Sequence, residues 1–131
     1  MRRLLLATIF LRDAAGAAMA IDFSAEVKTF DDKSYTDRDG KPAPQILGDI
    51  VESMLLNPPT GTSEEDKRKR FWLAHKIHKD RKDPVLTLGE LQMIRKATFE
   101  YPVLAIAGQA TKLVDPDFVD PTSIPADKAK K

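Results

Sequence analysis

The chain has no cysteine, and it has no apolar run that approaches the ~18 residues of a membrane span. The first absence excludes disulfide frameworks, thiolate zinc sites and cysteine nucleophiles. A strong charge of either sign is also missing, because 21 Lys and Arg residues stand against 20 Asp and Glu residues in a sequence of 131. This balance excludes a strongly basic nucleic-acid coat and a strongly acidic DNA mimic.

Catalytic and metal-binding signatures are missing as well. The sequence contains no G-x-S-x-G, no H-E-x-x-H, no dinucleotide fingerprint and no Walker pattern. His75 and His78 have a spacing that suits a metal ion, but the sequence fixes no third ligand near them. The acidic turn around Gly40 does not fit a calcium loop, because its first and twelfth positions would be Tyr35 and Ile46. We therefore predict a non-enzymatic protein with no metal site and no cofactor.

The first 20 residues have three interpretations. Two arginines, the apolar run Leu4–Leu11 and Ala18-Met19-Ala20 form the parts of a secretory signal peptide, although Arg12-Asp13 interrupts the pattern. Alternatively, translation starts at Met19, or the segment forms a short helix. All three interpretations place residues 1–18 outside the core, as a leader or an extension, and predict one globular domain over residues 19–114.

The sequence predicts a domain of the α+β class that is mainly α. Apolar and polar residues alternate from Ile21 to Val27, which predicts a strand. Ser34–Thr36 has strand propensity, and the Asp-Gly pair at Asp39-Gly40 supplies turn chemistry, so we predict an N-terminal β-hairpin. Helical periodicity follows, and it predicts a bundle of three to four helices on which the hairpin packs, at about 45–56, 63–79, 88–100 and 102–114.

Several residues within these helices have specific predicted roles. Gly48 is expected to allow another element to approach closely, and Asn57 to end its helix in the left-handed conformation. Thr87 and Glu90 form a capping box, and Thr62–Glu65 has the same pattern. Pro102 removes an amide donor, so the long stretch after Thr87 should kink or divide there, with Pro102 opening the last helix.

The helix at 63–79 carries the strongest local charge. From Glu64 to Lys82 there are eight cations and four acids, an excess of four positive charges. Phe71, Ala74 and Ile77, with Trp72 or Leu73, are predicted to be its buried side. A solvated face explains the cations most simply, and a surface that meets an acidic protein or nucleic-acid phosphates is the functional alternative. The candidate contact residues are Lys67, Lys69, Arg70, Trp72, Lys76, Lys79 and Arg81.

The last helix and the tail supply two further features. Ala105, Ala107, Gly108 and Ala110 make one side of the helix small, which suits either core packing or self-association. Residues 115–131 are rich in aspartate, proline and lysine, and they are predicted to form an extended or disordered tail. The apolar pair Phe118-Val119 is expected to anchor this tail on the domain or on a partner.

The order of these pieces resembles that of small accessory proteins of tailed bacteriophages and prophages. The resemblance covers about residues 19–115 and is carried by the segments IDFSAEVKTFDDK, ILGDIVESMLLNPP, EEDKRKRFWLAHKIH, LTLGELQMIRKA and YPVLAIAGQATKLVD. It implies a short β element before compact helices, and a role in virion assembly or in interaction with host machinery. Residues 1–18 and the tail after residue 115 depart from the pattern.

The first functional hypothesis is therefore a phage-type interaction protein, either a head or tail assembly factor or structural component, or a host-directed regulator. Its partner would be another protein of the virion or the host, and self-association is a further expectation. The alternative is a nucleic-acid-binding regulator that uses the basic helix at 67–82. No membrane association is expected, and the predicted location is the host cytoplasm or the virion. Secretion would follow only if residues 1–20 are a true signal peptide.

Overall fold

The computed structural model describes residues 20–123. The three interpretations of residues 1–18 and the end of the tail, residues 124–131, lie outside this part of the chain. Within it, a two-stranded antiparallel sheet precedes four helices. The fold is α+β and mainly α, which confirms the predicted class.

The sheet is smaller than predicted, and its second strand lies elsewhere. Strand β1 is Glu26–Val27 and pairs with β2, Gln45–Ile46, so that Glu26 lies opposite Ile46. The predicted partner segment contributes only an isolated bridge between Thr36 and Pro42. The Asp37–Lys41 turn joins these two residues, and the Asp37 carboxylate accepts both amides Asp39 N–H and Lys41 N–H at 2.9 Å.

Residues 21–25 do not form the predicted strand, because Phe23 is held by partners outside any sheet. Its amide donates to the Arg81 carbonyl, and its own carbonyl accepts from the Gly48 amide, both at 2.6 Å. Asp22 and Ala25 close a turn around it. The alternating apolar residues Ile21, Phe23 and Val27 are nevertheless all buried, so the period-two pattern identified the buried side chains correctly.

The helices are α1, Leu47–Leu56; α2, Glu64–Lys79; α3, Leu88–Phe99; and α4, Leu104–Val114. Helix α1 packs against β2, α2 and α3, while α4 packs against α3 and β1. The core runs through all of these elements. Its largest fully buried side chains are Phe23, Leu47, Leu55, Leu73, Ile77, Ile94, Val27, Val51, Val114 and Thr98.

The helix ends confirm one predicted cap and correct two others. Thr87 and Glu90 form the full capping box of α3. For α2 the cap is Ser63, not Thr62, because the Ser63 hydroxyl accepts from the Asp66 amide. Asn57 has φ −125° and is not left-handed.

The chain does divide after α3, but Pro102 lies before the last helix instead of opening it. Val103 is the N-terminal cap of α4. Proline removes a donor and restricts the residue before it. Helix α3 accordingly ends at Phe99, before Pro102, and α4 begins at Leu104, after Val103.

The structure confirms that other parts of the chain approach closely at Gly48. A β-carbon added there would lie 2.8 Å from the Phe23 carbonyl oxygen and 2.8 Å from Arg81 Nε. The glycine therefore lets the N-terminal segment, α1 and the residues after α2 meet at one point.

Candidate functional site

Arg70 is a structural residue, and its place among the candidate contact residues is corrected. It is 7% exposed, and its guanidinium donates to the carbonyls of Met54 and Leu55 at 2.9 and 3.4 Å. These carbonyls lie in the last turn of α1, where backbone acceptors have no partner within the helix. The cation also faces the negative end of the helix dipole. Arg70 thus joins α2 to α1.

Arg81 is likewise held within the domain. It donates to Glu52 at 3.0 Å and to Asp49 at 2.8 Å, and both acids lie on α1. Burial acts to lower the pKa of Arg81, but the hydrogen bonds and charges of Asp49 and Glu52 raise it on balance. These two acids of α1 thus fix the chain that follows α2.

The buried side of α2 is formed by Arg70, Leu73, Ala74 and Ile77. The prediction that Phe71 is buried was therefore wrong: Phe71 is 51% exposed and Trp72 is 62% exposed. The helix is turned so that the guanidinium of Arg70 reaches the end of α1, which moves Phe71 to the outside. Ala74 and Ile77 are buried as predicted.

The exposed aromatic residues of α2 form a cluster with His75. The ring centroids of Phe71 and Trp72 are 5.1 Å apart, and those of Trp72 and His75 are 5.4 Å apart, in edge-to-face geometry. Such pairs stabilise one another beyond their area of contact. The indole of Trp72 is thus held in place by its neighbours although it faces solvent.

A groove lies between this cluster and the beginning of α3. We call it the α2–α3 groove; its volume is about 580 Å³. It is open along one side and presents apolar surface from Trp72 and Met93 together with charged groups. Its lining is Glu65, Arg68, Lys69, Trp72, Leu73, Lys76, Thr87, Gly89, Glu90 and Met93.

Lys76 and Glu90, which both line the groove, form an ion pair between α2 and α3. Lys76 Nζ donates to both carboxylate oxygens of Glu90 at 2.9 Å and to the Val85 carbonyl at 3.1 Å. Glu90 also accepts the Thr87 amide at 2.8 Å. Partial burial would raise the pKa of Glu90, but the hydrogen bonds from Thr87 and Lys76 outweigh it, so the pKa lies below its ordinary value of 4.5.

Acid should therefore weaken the fold through Glu90. A carboxyl group with a lowered pKa in the folded state stabilises the protein above its unfolded pKa, and this contribution is lost as the pH falls through the folded pKa. At pH ~7 we expect Glu90→Gln to lower the free energy of unfolding by about 1 kcal/mol. The difference from the wild type should shrink below pH ~4.

Urea denaturation of both proteins between neutral pH and pH ~3 checks this expectation. Glu65→Gln is a matched control, since it makes the same change in an exposed pair with Lys69 and should lower the free energy of unfolding by less. A gap between wild type and Glu90→Gln that is the same at every pH would contradict the assignment.

The structure divides the cations of the basic helix into two groups. Lys69 pairs with Glu65 at 3.4 Å, Lys76 pairs with Glu90, and Arg81 pairs with α1. Lys67, Arg68 and Lys79 are exposed and have no ion pair within residues 20–123. Asp49, Glu52 and Glu90, brought in from other elements, reduce the local excess from four positive charges to one.

Of the residues that sequence analysis selected, Lys69, Trp72 and Lys76 come together at the groove. Lys67 and Lys79 are accessible but do not line it, while Arg70 and Arg81 bind groups of α1 within the domain. Sequence analysis missed Arg68 and the contributions of α3, Gly89 and Met93. Arg68 lay within the basic run, and a helical wheel centred on Trp72 places it on the same side; nothing in the sequence indicated that α3 would form the other wall.

The histidines do not form a metal site in the described part of the chain. His78 Nδ1 lies 3.0 Å from Glu52 Oε1, and His75 stacks beside the aromatic residues. Residues 20–123 contain no group of three side chains that would hold a metal ion. No helix in that range is long and apolar enough to cross a membrane.

The chain matches none of the protein-family models, curated proteins or solved structures with which it was compared.

Proposed function

We propose that the protein is a non-enzymatic interaction module that binds an acidic segment of another protein in the α2–α3 groove. The observation that carries the proposal is Trp72, which is largely exposed and yet fixed beside Arg68 over a groove with mixed apolar and basic lining. Tryptophan and arginine are enriched among the residues that contribute most of the energy at protein interfaces.

The chemistry of the groove indicates what the partner segment should contain. Trp72 and Met93 offer apolar surface to one bulky side chain. Arg68 has no ion pair among the described residues, so its guanidinium is available to a carboxylate in bidentate geometry. Lys76 is already bound to Glu90. The segment that fits best is a short peptide with one aromatic or aliphatic residue next to an Asp or Glu.

The resemblance to accessory proteins of tailed bacteriophages is consistent with this proposal. Such a protein would use the groove to bind a head or tail component during virion assembly, to remain in the virion as a structural component, or to bind a regulator of the host. The groove itself requires only an acidic and partly apolar peptide, so the first test of the proposal is a measurement of peptide binding.

Peptide binding is directly measurable because Trp72 is the single tryptophan of the chain. Selection from a random peptide library should enrich sequences with acidic residues beside one bulky apolar residue. Titration of a selected peptide should change the fluorescence of Trp72, with a dissociation constant in the micromolar range that is typical of small interfaces. Arg68→Glu should weaken binding by ten-fold or more, since it reverses the charge that the carboxylate meets, a change of at least ~1.4 kcal/mol.

Lys41→Glu is the matched control, because it makes the same charge change on an exposed residue in the Asp37–Lys41 turn. It should leave binding unchanged. A library that enriches no acidic peptide, or selected peptides that bind Arg68→Glu as tightly as the wild type, would overturn the proposal.

Nucleic acid is the second candidate, and Trp72 flanked by the unpaired cations Arg68 and Lys79 is the observation that favours it. An exposed indole stacks on a base, and nearby cations meet phosphates. The small local charge excess argues for the protein partner. Single-stranded oligonucleotides titrated against the same fluorescence decide between them: nucleic-acid binding should weaken steeply with salt and be lost in Arg68→Glu/Lys79→Glu. Arg70 is unsuitable for this test because its substitution would disturb the fold.

A further inference from the structure

A second groove lies beside α4 at the C-terminal end of α3, and the described residues that line it are apolar. We call it the α4 groove; it has a volume of about 410 Å³. It shares no lining residue with the α2–α3 groove. Among residues 20–123 no charged side chain lines it, and its lining is Phe30, Phe99, Leu104, Ala105, Gly108 and Phe118.

The side chains around this groove are unusually exposed for their type. Phe30 is 82% exposed and Leu104 is 69% exposed, and Phe99, Val103 and Phe118 each leave a third or more of their surface in solvent. Together they expose roughly 550 Å² of apolar surface, taking about 200 Å² for an aromatic side chain. That area is close to the upper limit of the largest apolar patch on a typical monomer, and patches of this size commonly mark interaction sites.

The walls of the groove are held in place by contacts within the domain. The rings of Phe99 and Phe118 pack edge to face with centroids 5.4 Å apart, which confirms that the start of the tail is anchored through Phe118. Gln109 Nε2 donates to the carbonyls of Lys28 and Thr29 at 2.9 and 3.1 Å. This bond fixes the chain just before Phe30 against α4, so the groove is formed before any partner binds.

The small residues of α4 divide between the two sides of the helix. Ala107 and Ala110 are buried in the core, whereas Ala105 is exposed and Gly108 is half-buried at the groove. A β-carbon added at Gly108 would meet no atom within 4 Å. The core therefore does not need glycine at this position. A small residue between Leu104 and the phenylalanines does allow a second helix to approach α4 closely.

We propose that the α4 groove is the interface of a symmetric homodimer, in which α4 packs against α4 of a second copy. A charged partner would gain no ion pair from a lining without charge, whereas a second copy supplies the same apolar surface. In a two-fold contact each copy buries the same patch. Two patches bury roughly 1,100 Å², which reaches the ~1,000 Å² of a specific interface and lies below the standard size.

An interface at the small end of the range is typical of a weak dimer that exchanges with its monomer. The apparent mass of the full-length wild type, measured by sedimentation equilibrium, should therefore rise from one chain towards two as its concentration increases from low micromolar to near millimolar. A wild type that stays monomeric over this range would overturn the proposal.

Gly108→Glu tests the interface without disturbing the monomer. The added β-carbon meets no atom of the described residues within 4 Å, and replacing a glycine within a helix favours the helical conformation. In the dimer, two carboxylates would face each other in an apolar contact, so the association constant should fall at least ten-fold. Gly89→Glu is the matched control, since Gly89 is a helical glycine on α3 with one neighbouring atom at 4.0 Å. It should associate like the wild type.

Dimerisation of Gly108→Glu with the affinity of the wild type would overturn the proposal, provided that its circular dichroism matches that of Gly89→Glu. The apolar run Leu4–Leu11 is a competing occupant of the groove. If the wild type is monomeric and the full-length double variant Leu5→Asp/Ile9→Asp dimerises, that run covers the α4 groove and the second copy does not. If the protein does not dimerise, the proposal of peptide binding at the α2–α3 groove still stands, because the two grooves share no lining residue.

Discussion

Replacing Gly48 with alanine should lower the free energy of unfolding by about 3 kcal/mol or more. The new methyl group would lie 2.8 Å from the Phe23 carbonyl oxygen, which is backbone and is bound to the Gly48 amide itself. It would also press on the guanidinium of Arg81, which Asp49 and Glu52 hold from two directions. The gain in helix propensity, about 1 kcal/mol, is too small to offset this overlap.

The matched control for this substitution is Gly89→Ala, at which the new methyl group meets only Thr87 Oγ1 at 4.0 Å. It should leave stability unchanged or raise it by up to about 1 kcal/mol. Urea or thermal denaturation of both variants measures the difference. Equal stability of the two variants would show that the N-terminal segment and Arg81 do not lie over α1 as described.

Among the cations of the basic helix, Arg70 should be the most costly to replace, and Arg70→Ala should lower the free energy of unfolding by about 3 kcal/mol. The substitution removes the guanidinium donor from the carbonyls of Met54 and Leu55, of which the first keeps the Asn57 amide at 3.3 Å. It also removes a buried side chain between α1 and α2. Arg70→Lys should recover only part of the loss, because an ammonium group lacks the planar set of donors of arginine.

Lys69→Ala is the control for Arg70→Ala, since Lys69 is the preceding residue and carries the same charge. Its pair with Glu65 is exposed, and such pairs contribute at most about 1 kcal/mol. Chemical denaturation should therefore show a loss in the free energy of unfolding that is several times larger for Arg70→Ala than for Lys69→Ala. A similar small loss for both would mean that Arg70 is not buried in solution.

The predicted order of elements and the buried apolar positions of the helices were largely correct, because both depend on periodicity that is local in the sequence. The Thr87 capping box and the division of the chain near Pro102 follow from neighbours within a few residues, and both are present. The errors have a common cause. Phe71 was assigned to the core because it is apolar, but the orientation of α2 is set by Arg70 and the carbonyls of α1, some 15 residues earlier in the chain.

The difference between local patterns and contacts distant in sequence also explains which residues of the candidate site were predicted correctly. Sequence analysis found Trp72, Lys69 and Lys76 because charge and an aromatic residue stand out in a linear sequence. It overestimated the positive surface because Asp49, Glu52 and Glu90 lie far from the basic run in sequence and reach it only through packing. It also placed Arg81 at a partner surface, although Arg81 holds the N-terminal segment against α1.

By itself the sequence determined the class of the fold, the order of the helices, the Thr87 capping box and the lack of cysteine chemistry. These properties are encoded in residue type and in spacing over one or two helical turns. Only the tertiary structure decided which cations remain unpaired, which aromatic residues face solvent, and that α3 and α4 complete two separate grooves. Those outcomes depend on charges, carbonyl groups and apolar surfaces that are distant in sequence and meet only when the helices pack.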